Sequence, residues 1–275
     1  MKEGSKMGRK RFLAVSTILS LVLAAAFAAG AAAVGRFLKI EGQVDLLKAG
    51  KLPGAAAKLT DPLEAKDVIR TKSRSRAQVL FIDDTVLTLA PESRVAVADY
   101  FYDRAKSQRR ALIQVYRGLV HTVVVKVLRM QDPDFIMQTH TAIIGSRGTE
   151  WYTLLFPNST IIFNIQGLLE LSSSNRQIPG AILLPAMKYC EVRRDQAPGP
   201  LLDITPAILA MVGKMMLTGV TDLPLDLPGV RCTLPELKRL GPPEELLSPY
   251  TPPLTPVYPP GPGPVQPPKP PGKYY

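Results

Sequence analysis

Few side chains in this sequence are equipped for chemistry. Its only histidines are His121 and His140, and its only cysteines are Cys190 and Cys232. Hydrolysis needs a nucleophile beside an oriented base, or two carboxylates facing one cleft. Neither histidine lies near a sharp serine turn, so a Ser-His-Asp arrangement has no footing. Asp83 and Asp84 are adjacent, and Asp132 and Asp134 flank Pro133. Both pairs fall where turns are expected, which predicts solvated carboxylates in place of a matched acid and base. No histidine stands at metal-ligand spacing from the other or from a cysteine, which argues against zinc. These residues describe a protein that is not an enzyme and uses no cofactor.

The elements around them alternate with period two. In residues 38–46 the even positions are Leu38, Ile40, Gly42, Val44 and Leu46, and the odd ones are Lys39, Glu41, Gln43 and Asp45. That pattern predicts one strand with a buried and a wet face. Residues 77–82 and 85–90 form a hairpin candidate around Asp83-Asp84, and Pro91-Glu92-Ser93 turns the chain into residues 94–100. Residues 103–110 read as a basic loop before a β-branched run over 113–128. A second hairpin flanks Pro157-Asn158-Ser159, and residues 182–192 close the series. The expected fold is all-β: a sandwich or β-roll of about ten short antiparallel strands. Three segments, around Gly42, Gly118 and Gly167, share a glycine inside a strand pattern, but their unequal spacing argues against a solenoid.

Both ends differ from this middle. Lys2, Lys6, Arg9, Lys10 and Arg11 precede an uncharged stretch from residue 12 to residue 35. A basic start, an apolar centre and small residues predict a signal peptide over residues 1–33. The alternative is an uncleaved anchor, with membrane contact through residues 12–35. Either form sends the remainder across the membrane, to the periplasm or beyond. Export permits a disulfide between Cys190 and Cys232. The β domain is expected over residues 34–195, and a helical extension over 196–241. Within that extension Thr205 suits a helix N-cap, Pro206 the first turn and Gly219 the position after the end. The intervening residues carry one charge, Lys214, so the helix is expected to dock on the β domain. Residues 242–275 hold 14 prolines and are expected to be an extended, disordered tail.

Residues 139–151 read THTAIIGSRGTEW, with Gly145, Arg147, Gly148 and Thr149 at their centre. This stretch resembles the signature turn of the FecR domain family. Ile40-Glu41-Gly42-Gln43-Val44 resembles the family's opening strand, Asp67-Val68-Ile69-Arg70-Thr71 its next element, and residues 75–97 its hairpin and proline-serine turn. Arg117-Gly118-Leu119-Val120 and Ile165-Gln166-Gly167-Leu168-Leu169 resemble later strands. The sequence departs from the family at Lys66 and Asp84, where glycine is usual, at His140, usually proline, and at Ser146, usually valine. On the residues alone, Gly145 and Gly148 give backbone freedom and Arg147 has five donors to tie a neighbouring strand. Thr149 returns the chain to a strand and Trp151 supplies an apolar anchor. A structural corner is expected, with a ligand-reading Arg147 as the alternative.

The best-known relatives hold a sigma factor through a cytoplasmic N-terminal domain. Only eleven residues precede the apolar run here, too few for such a domain, so that activity is not expected to carry over. Once the leader is set aside, the formal charge of +11 falls to about +7. Much of it lies in residues 66–76 and 104–117, read as solvated faces or as patches for an anionic envelope polymer. Nucleic acid is not an expected partner, since no aromatic-interleaved basic motif is present. The resulting expectation is an exported, non-catalytic binding or scaffold protein of the bacterial cell envelope, engaging an envelope protein or an anionic polymer. The alternative is an accessory of cell-surface signalling that acts through a membrane partner.

Overall fold

A computed structural model of the protein describes residues 32–126, 133–219 and 227–228. Nearly all of the expected leader, most of the extension after Gly219, Cys232 and the Pro-rich tail lie outside the described residues.

Strand after strand alternates between two nine-stranded sheets. β1 (Ala33–Glu41) lies in the first sheet, and β2 (Val44–Leu47) and β3 (Ala55–Ala56) lie in the second. β4 (Pro62–Glu64) returns to the first and β5 (Val68–Thr71) to the second. β6 (Arg76–Phe81) and β7 (Val86–Leu89) make a hairpin in the first sheet. β8 (Arg94–Asp103) and β9 (Gln108–Arg117) make a long one in the second. β10 (Leu119–Val123) crosses back, β11 (Phe135–Gln138) and β12 (Ala142–Ser146) lie in the second sheet, and β13 (Glu150–Leu155) and β14 (Ser159–Gln166) in the first. β15 (Leu168–Ser173) and β16 (Ile182–Pro185) end the second sheet, while β17 (Lys188–Arg193) and β18 (Leu202–Asp203) end the first. Neighbours pair antiparallel apart from β9 with β11, which run parallel. The fold is the expected all-β one, with more strands than the ten or so foreseen.

The extra strands come from apolar runs that change sheets at a glycine. Gly42 separates β1 from β2, Gly118 separates β9 from β10, and Gly167 separates β14 from β15. All three have positive φ, at 73°, 95° and 87°. Each also presses on a side chain that a Cβ would meet: Ser75 Oγ at 2.4 Å, Ser93 Oγ at 2.2 Å and Thr149 Cγ2 at 2.6 Å. Those opposing residues share a context of their own. Each follows a residue in the left-handed region: Arg74 at φ 54°, Glu92 at 56° and Gly148 at 119°. In two cases the hydroxyl accepts from the amide after the glycine, with Gln43 N to Ser75 Oγ at 2.8 Å and Leu119 N to Ser93 Oγ at 3.3 Å. The echo around the three glycines is thus one corner used three times.

Residues 38–46 are therefore two strands, not one. Within the first, the pairing of β1 with β6 shifts register between Phe37 and Lys39. A bulge of this kind flips the alternation. Phe37 goes into the core, and Leu38 stands outside at 48% exposure. The expected basic loop over residues 103–110 is also shorter, since β9 already begins at Gln108.

The two inner faces bury Phe37, Ile69, Leu87, Phe135, Trp151 and Ile162 among others. Trp151 is fully buried, edge-on to Phe135 at 6.0 Å between ring centres. The first sheet also has a covered outer face. There α1 (Pro206–Thr218) lays Ile208, Val212, Met215 and Met216 over Leu119, Leu154, Phe156 and Phe163, with Leu227 added beyond it. Thr205 Oγ1 accepts from Ile208 N at 3.3 Å, Pro206 opens the helix and Gly219 follows its end at φ 94°. Among the described residues no helix is long and apolar enough to cross a membrane.

The corner can be tested by adding one methyl group. Gly118→Ala combines left-handed strain with a clash on Ser93, and should cost at least about 2 kcal/mol of unfolding free energy. Gly180 also has positive φ, at 105°, but nothing lies within 4 Å of its would-be Cβ. Gly180→Ala should cost only about 1 kcal/mol. Equal losses in urea titrations would rule out the close approach as the deciding factor.

Candidate functional site

The carboxylates expected to be solvated are instead buried around one arginine. Asp83 is 3% exposed, Asp134 5% and Arg109 3%. Arg109 donates from Nη1 to Asp83 Oδ2 and from Nη2 to Asp134 Oδ1, both at 2.7 Å. Its Nη1 also reaches the carbonyl of Val125 at 2.9 Å. Asp83 takes further bonds from Tyr100 Oη at 2.6 Å, from Thr85 Oγ1 at 2.7 Å and from Thr85 N at 3.1 Å. Tyr100 in turn stacks on Phe81 at 4.4 Å. Burial, and then the charge of Asp83, push the Tyr100 phenol well above its ordinary value. Burial also raises Asp134, against the pull of Arg109. Asp132 lies outside the described residues, and Asp84 sits at the turn with φ 65°.

Parity carried the missed signal. Ala77, Val79 and Phe81 point inward along β6, and Asp83 continues that count. Arg109 likewise shares parity with buried Ala111, Ile113 and Val115 on β9. The turn chemistry around Asp83-Asp84 and the density of basic residues near Arg109 hid it. Functionally the arrangement is a clamp, because one cation spans two carboxylates from different sheets with no cleft between them.

The signature corner is built differently from expectation. Arg147 is exposed and has no hydrogen-bond or ion-pair partner among the described residues. The local bond is instead Ser146 Oγ with Thr149 Oγ1 at 2.5 Å. Gly145 is buried, and a Cβ there would meet Pro133 at 2.9 Å. Upstream, Thr139 and Thr141 each share a 2.8 Å hydroxyl contact with Thr160 of β14, which ties the β11–β12 turn to the opposite sheet. His140 lies between them. Burial, helped by the charge of Arg194, lowers its imidazole to about 4, and its Nε2 is buried with no partner among the described residues.

Cys190 is a buried thiol whose Sγ lies 3.4 Å from the carbonyl of Gly199, and burial pushes it up to about 12. Cys232, its expected partner, lies outside the described residues. Among the described residues no group of three or more His, Cys, Asp or Glu is placed to hold a metal ion.

The basic stretches are also less open than a solvated face. Asp45 pairs with Arg70 at 2.5 Å and Lys72 at 3.2 Å. Glu92 pairs with Arg117 at 3.2 Å, Asp99 with Arg110 at 2.8 Å, and Arg94 lies over the Tyr116 ring at 5.3 Å. Beside the part of the first sheet's outer face that α1 covers, the described residues form a different surface. Lys39 pairs in register with Gln78, Gln78 with Thr88, Thr88 with His121 and His121 with Tyr152. A groove of about 200 Å³ opens there, lined by Lys39, Glu41, Arg76, Ala77, Gln78 and Thr88.

Two substitutions probe the buried groups. Arg109→Met strands two carboxylates in the core and should remove about 3–5 kcal/mol of stability, measured by denaturant unfolding at neutral pH. A change below about 1 kcal/mol would mean that the clamp holds nothing together. His140 is lowered on folding, so the unfolded chain binds its proton first as pH falls. Its contribution is complete above pH 6.5 and is lost toward pH 4, by up to about 3 kcal/mol. His140→Gln should flatten that part of the stability profile; an unchanged acid limb would assign it to other groups.

Residues 67–162 match the model of the family described as FecR protein. No curated protein matches the chain. Two crystal structures of a candidate anti-sigma factor from Parabacteroides distasonis ATCC 8503 are similar, at 16% and 18% identity and TM-scores of 0.38 and 0.36. Each similarity covers 49% of this chain and 57% of that one, so the chain spans little more than half of their length. The matched residues take in the Arg109 clamp, the Gly118–Ser93 corner whole, the Ser75 and Thr149 sides of the other two corners, and the signature turn, so this stretch is similar to a FecR domain.

Proposed function

We propose that this chain is a non-catalytic binding and scaffold protein of the bacterial cell envelope, exported to the periplasm or beyond. One observation supports the reading: in the stretch that matches the FecR family, the candidate acid–base carboxylates Asp83 and Asp134 are spent on Arg109 inside the fold. Asp83 and Asp134 bind the same guanidinium, the Nε2 of half-buried His140 is out of solvent, and the Cys190 thiol is held protonated. None of them faces a cleft in which a substrate could meet an acid and a base. The outer faces are left for binding. Arg147 stands exposed at the signature corner, which supports it as the motif residue that meets a partner.

The family match also favours a second reading, an accessory of cell-surface signalling acting through a membrane partner. Pull-down from detergent-solubilised envelopes separates the two. Capture of an integral membrane protein, lost in Arg147→Ala while the melting curve is kept, supports the signalling role. Retention of envelope polymer alone supports the scaffold and removes the signalling role. A reporter fused after Gly35 that stays with cytosolic markers would remove both.

A further inference from the structure

We infer that residues 242–247 of this chain lie across a row of arginines on the outer face of the second sheet, with Glu244 and Glu245 as counter-charges. The inference stands apart from the envelope-binding reading and bears on it at one point. A polyanion seeking these arginines would have to displace the chain's own acidic segment.

Strand pairing sets the row. Arg70 of β5 lies opposite Arg94 of β8, and Arg94 lies opposite Arg117 of β9. Like charges directly opposite in a sheet repel. Lys72 follows Arg70 with the same parity, and exposed Arg74 stands at the next corner. The carboxylates that pair with them are Asp45, with Arg70 and Lys72, and Glu92, with Arg117. Arg94 lies over the Tyr116 ring at 5.3 Å, and its Nε is buried with no hydrogen-bond partner among the described residues. Burial lowers the Arg94 guanidinium from its ordinary value, and the charge of Arg70 adds to this against the pull of Tyr116. The row therefore holds more positive charge than Asp45 and Glu92 answer.

This face is also covered. Arg70, Ala96, Gln114 and Gln138 point away from the core that Ile69, Val95, Ile113 and Met137 line, yet this chain alone buries all four. α1 packs on the other sheet, and among the described residues no helix or strand crosses this one. The recess left between Arg70, Arg94, Tyr116 and Arg117 measures about 10 Å³. That is room for about one water-sized group, which admits the tip of a side chain and excludes a sugar ring or a polymer backbone.

Charge and reach select the segment. Residues 1–31 carry five cations against Glu3 and would add to the repulsion. Residues 127–132 lead into Pro133, which lies by Gly145 of β12, three strands from Arg94. Those strands span about 14 Å, too far for six residues to cover and return. Asp222 and Asp226 fall between α1 and Leu227, both packed on the first sheet. Glu236 is followed by Lys238 and Arg239. Glu244 and Glu245 are adjacent, with no cation from residue 240 to residue 268, and Leu246 and Leu247 follow as apolar cover. Pro228 is fixed by Tyr189 Oη at 2.7 Å, and Glu244 lies sixteen residues beyond it. An extended chain of that length reaches up to about 53 Å, enough to round two sheets about 10 Å apart.

Phenylglyoxal labelling of the purified full chain, read arginine by arginine in a mass spectrometer, tests this. In the parent Arg94 should react more slowly than exposed Arg147. The double variant Glu244→Gln, Glu245→Gln should speed Arg94 by about threefold or more, the weight of two ion pairs near a surface. Glu236→Gln should leave that rate alone. Arg109 should stay unlabelled throughout, which reports an intact fold in each variant. Long-chain polyphosphate should bind the double variant about threefold more tightly than the parent. An Arg94 rate unchanged in the double variant overturns the proposal, as does an Arg94 rate equal to that of Arg147 in the parent. Faster labelling in Glu236→Gln alone would give the cover to another segment and overturn it too. Equal polyphosphate binding by parent and double variant would overturn the competition between segment and polyanion.

Discussion

A chain that passes from one sheet to the other within a few residues has to reverse its side-chain parity while keeping its backbone groups bonded. In this protein that passage is made three times by one device. A left-handed glycine lets the strand turn, and a serine or threonine from another corner fills the space where its Cβ would have been. Where the hydroxyl also takes the amide after the glycine, the turn loses no hydrogen bond. The signature residues Gly148 and Thr149 are the third copy, so the motif marks a joint of the sandwich before it marks anything else. Only there does glycine occupy the left-handed position before the hydroxyl. Arg74 and Glu92 hold the same conformation in the other copies at a cost of about 1–2 kcal/mol each.

Corners align the two sheets, but something else must stop the core at its end. Arg109 does this by bonding a turn of the first sheet, through Asp83, and the approach to β11 of the second, through Asp134. Such a clamp is worth little more than well-packed apolar groups while intact, yet costly to break, because each carboxylate has already lost its water. Specificity is the better explanation for its presence. Three charges that tolerate one geometry fix how the sheets meet, which a purely aliphatic end would leave free to slip.

How far the sequence revealed this depends on what each residue's neighbours are. The hairpins around Asp83-Asp84 and Pro157-Asn158-Ser159, and the cap, first turn and stop of α1, are local, and local chemistry sufficed to read them. The glycine segments were visible as an echo, but their meaning lay in Ser75, Ser93 and Thr149, up to dozens of residues away. Lys66 and Asp84 stand where the family has glycine, and both have positive φ, at 73° and 65°, so the departures kept the turn and changed only its cost. Leu38 was misplaced because a bulge is a property of two strands, and one strand's alternation cannot announce it. Arg109 and its carboxylates were misread for the same reason. Twenty-five residues separate each bond's ends or nearly so, and charge in a turn is ordinarily wet.

These constraints also decide where binding can happen. The inner faces are filled, and both ends of the clamp are committed to each other. The outer face of the second sheet carries its arginines matched to Asp45, Glu92 and Asp99 or lying on Tyr116. The first sheet is covered by α1 across Leu119 and Leu154, yet among the described residues the same rows continue uncovered toward β1. A row that begins under the helix at Tyr189 and Phe163 and ends at exposed Lys39 changes from aromatic to polar beyond Tyr152, the last of its residues packed with the helix. Had that open half needed only solvation, scattered lysine and glutamate would have served. Instead it holds short, half-buried polar groups bonded to each other, Gln78 with Thr88 and His121 with Glu150, and pairs so near the surface add little to folding.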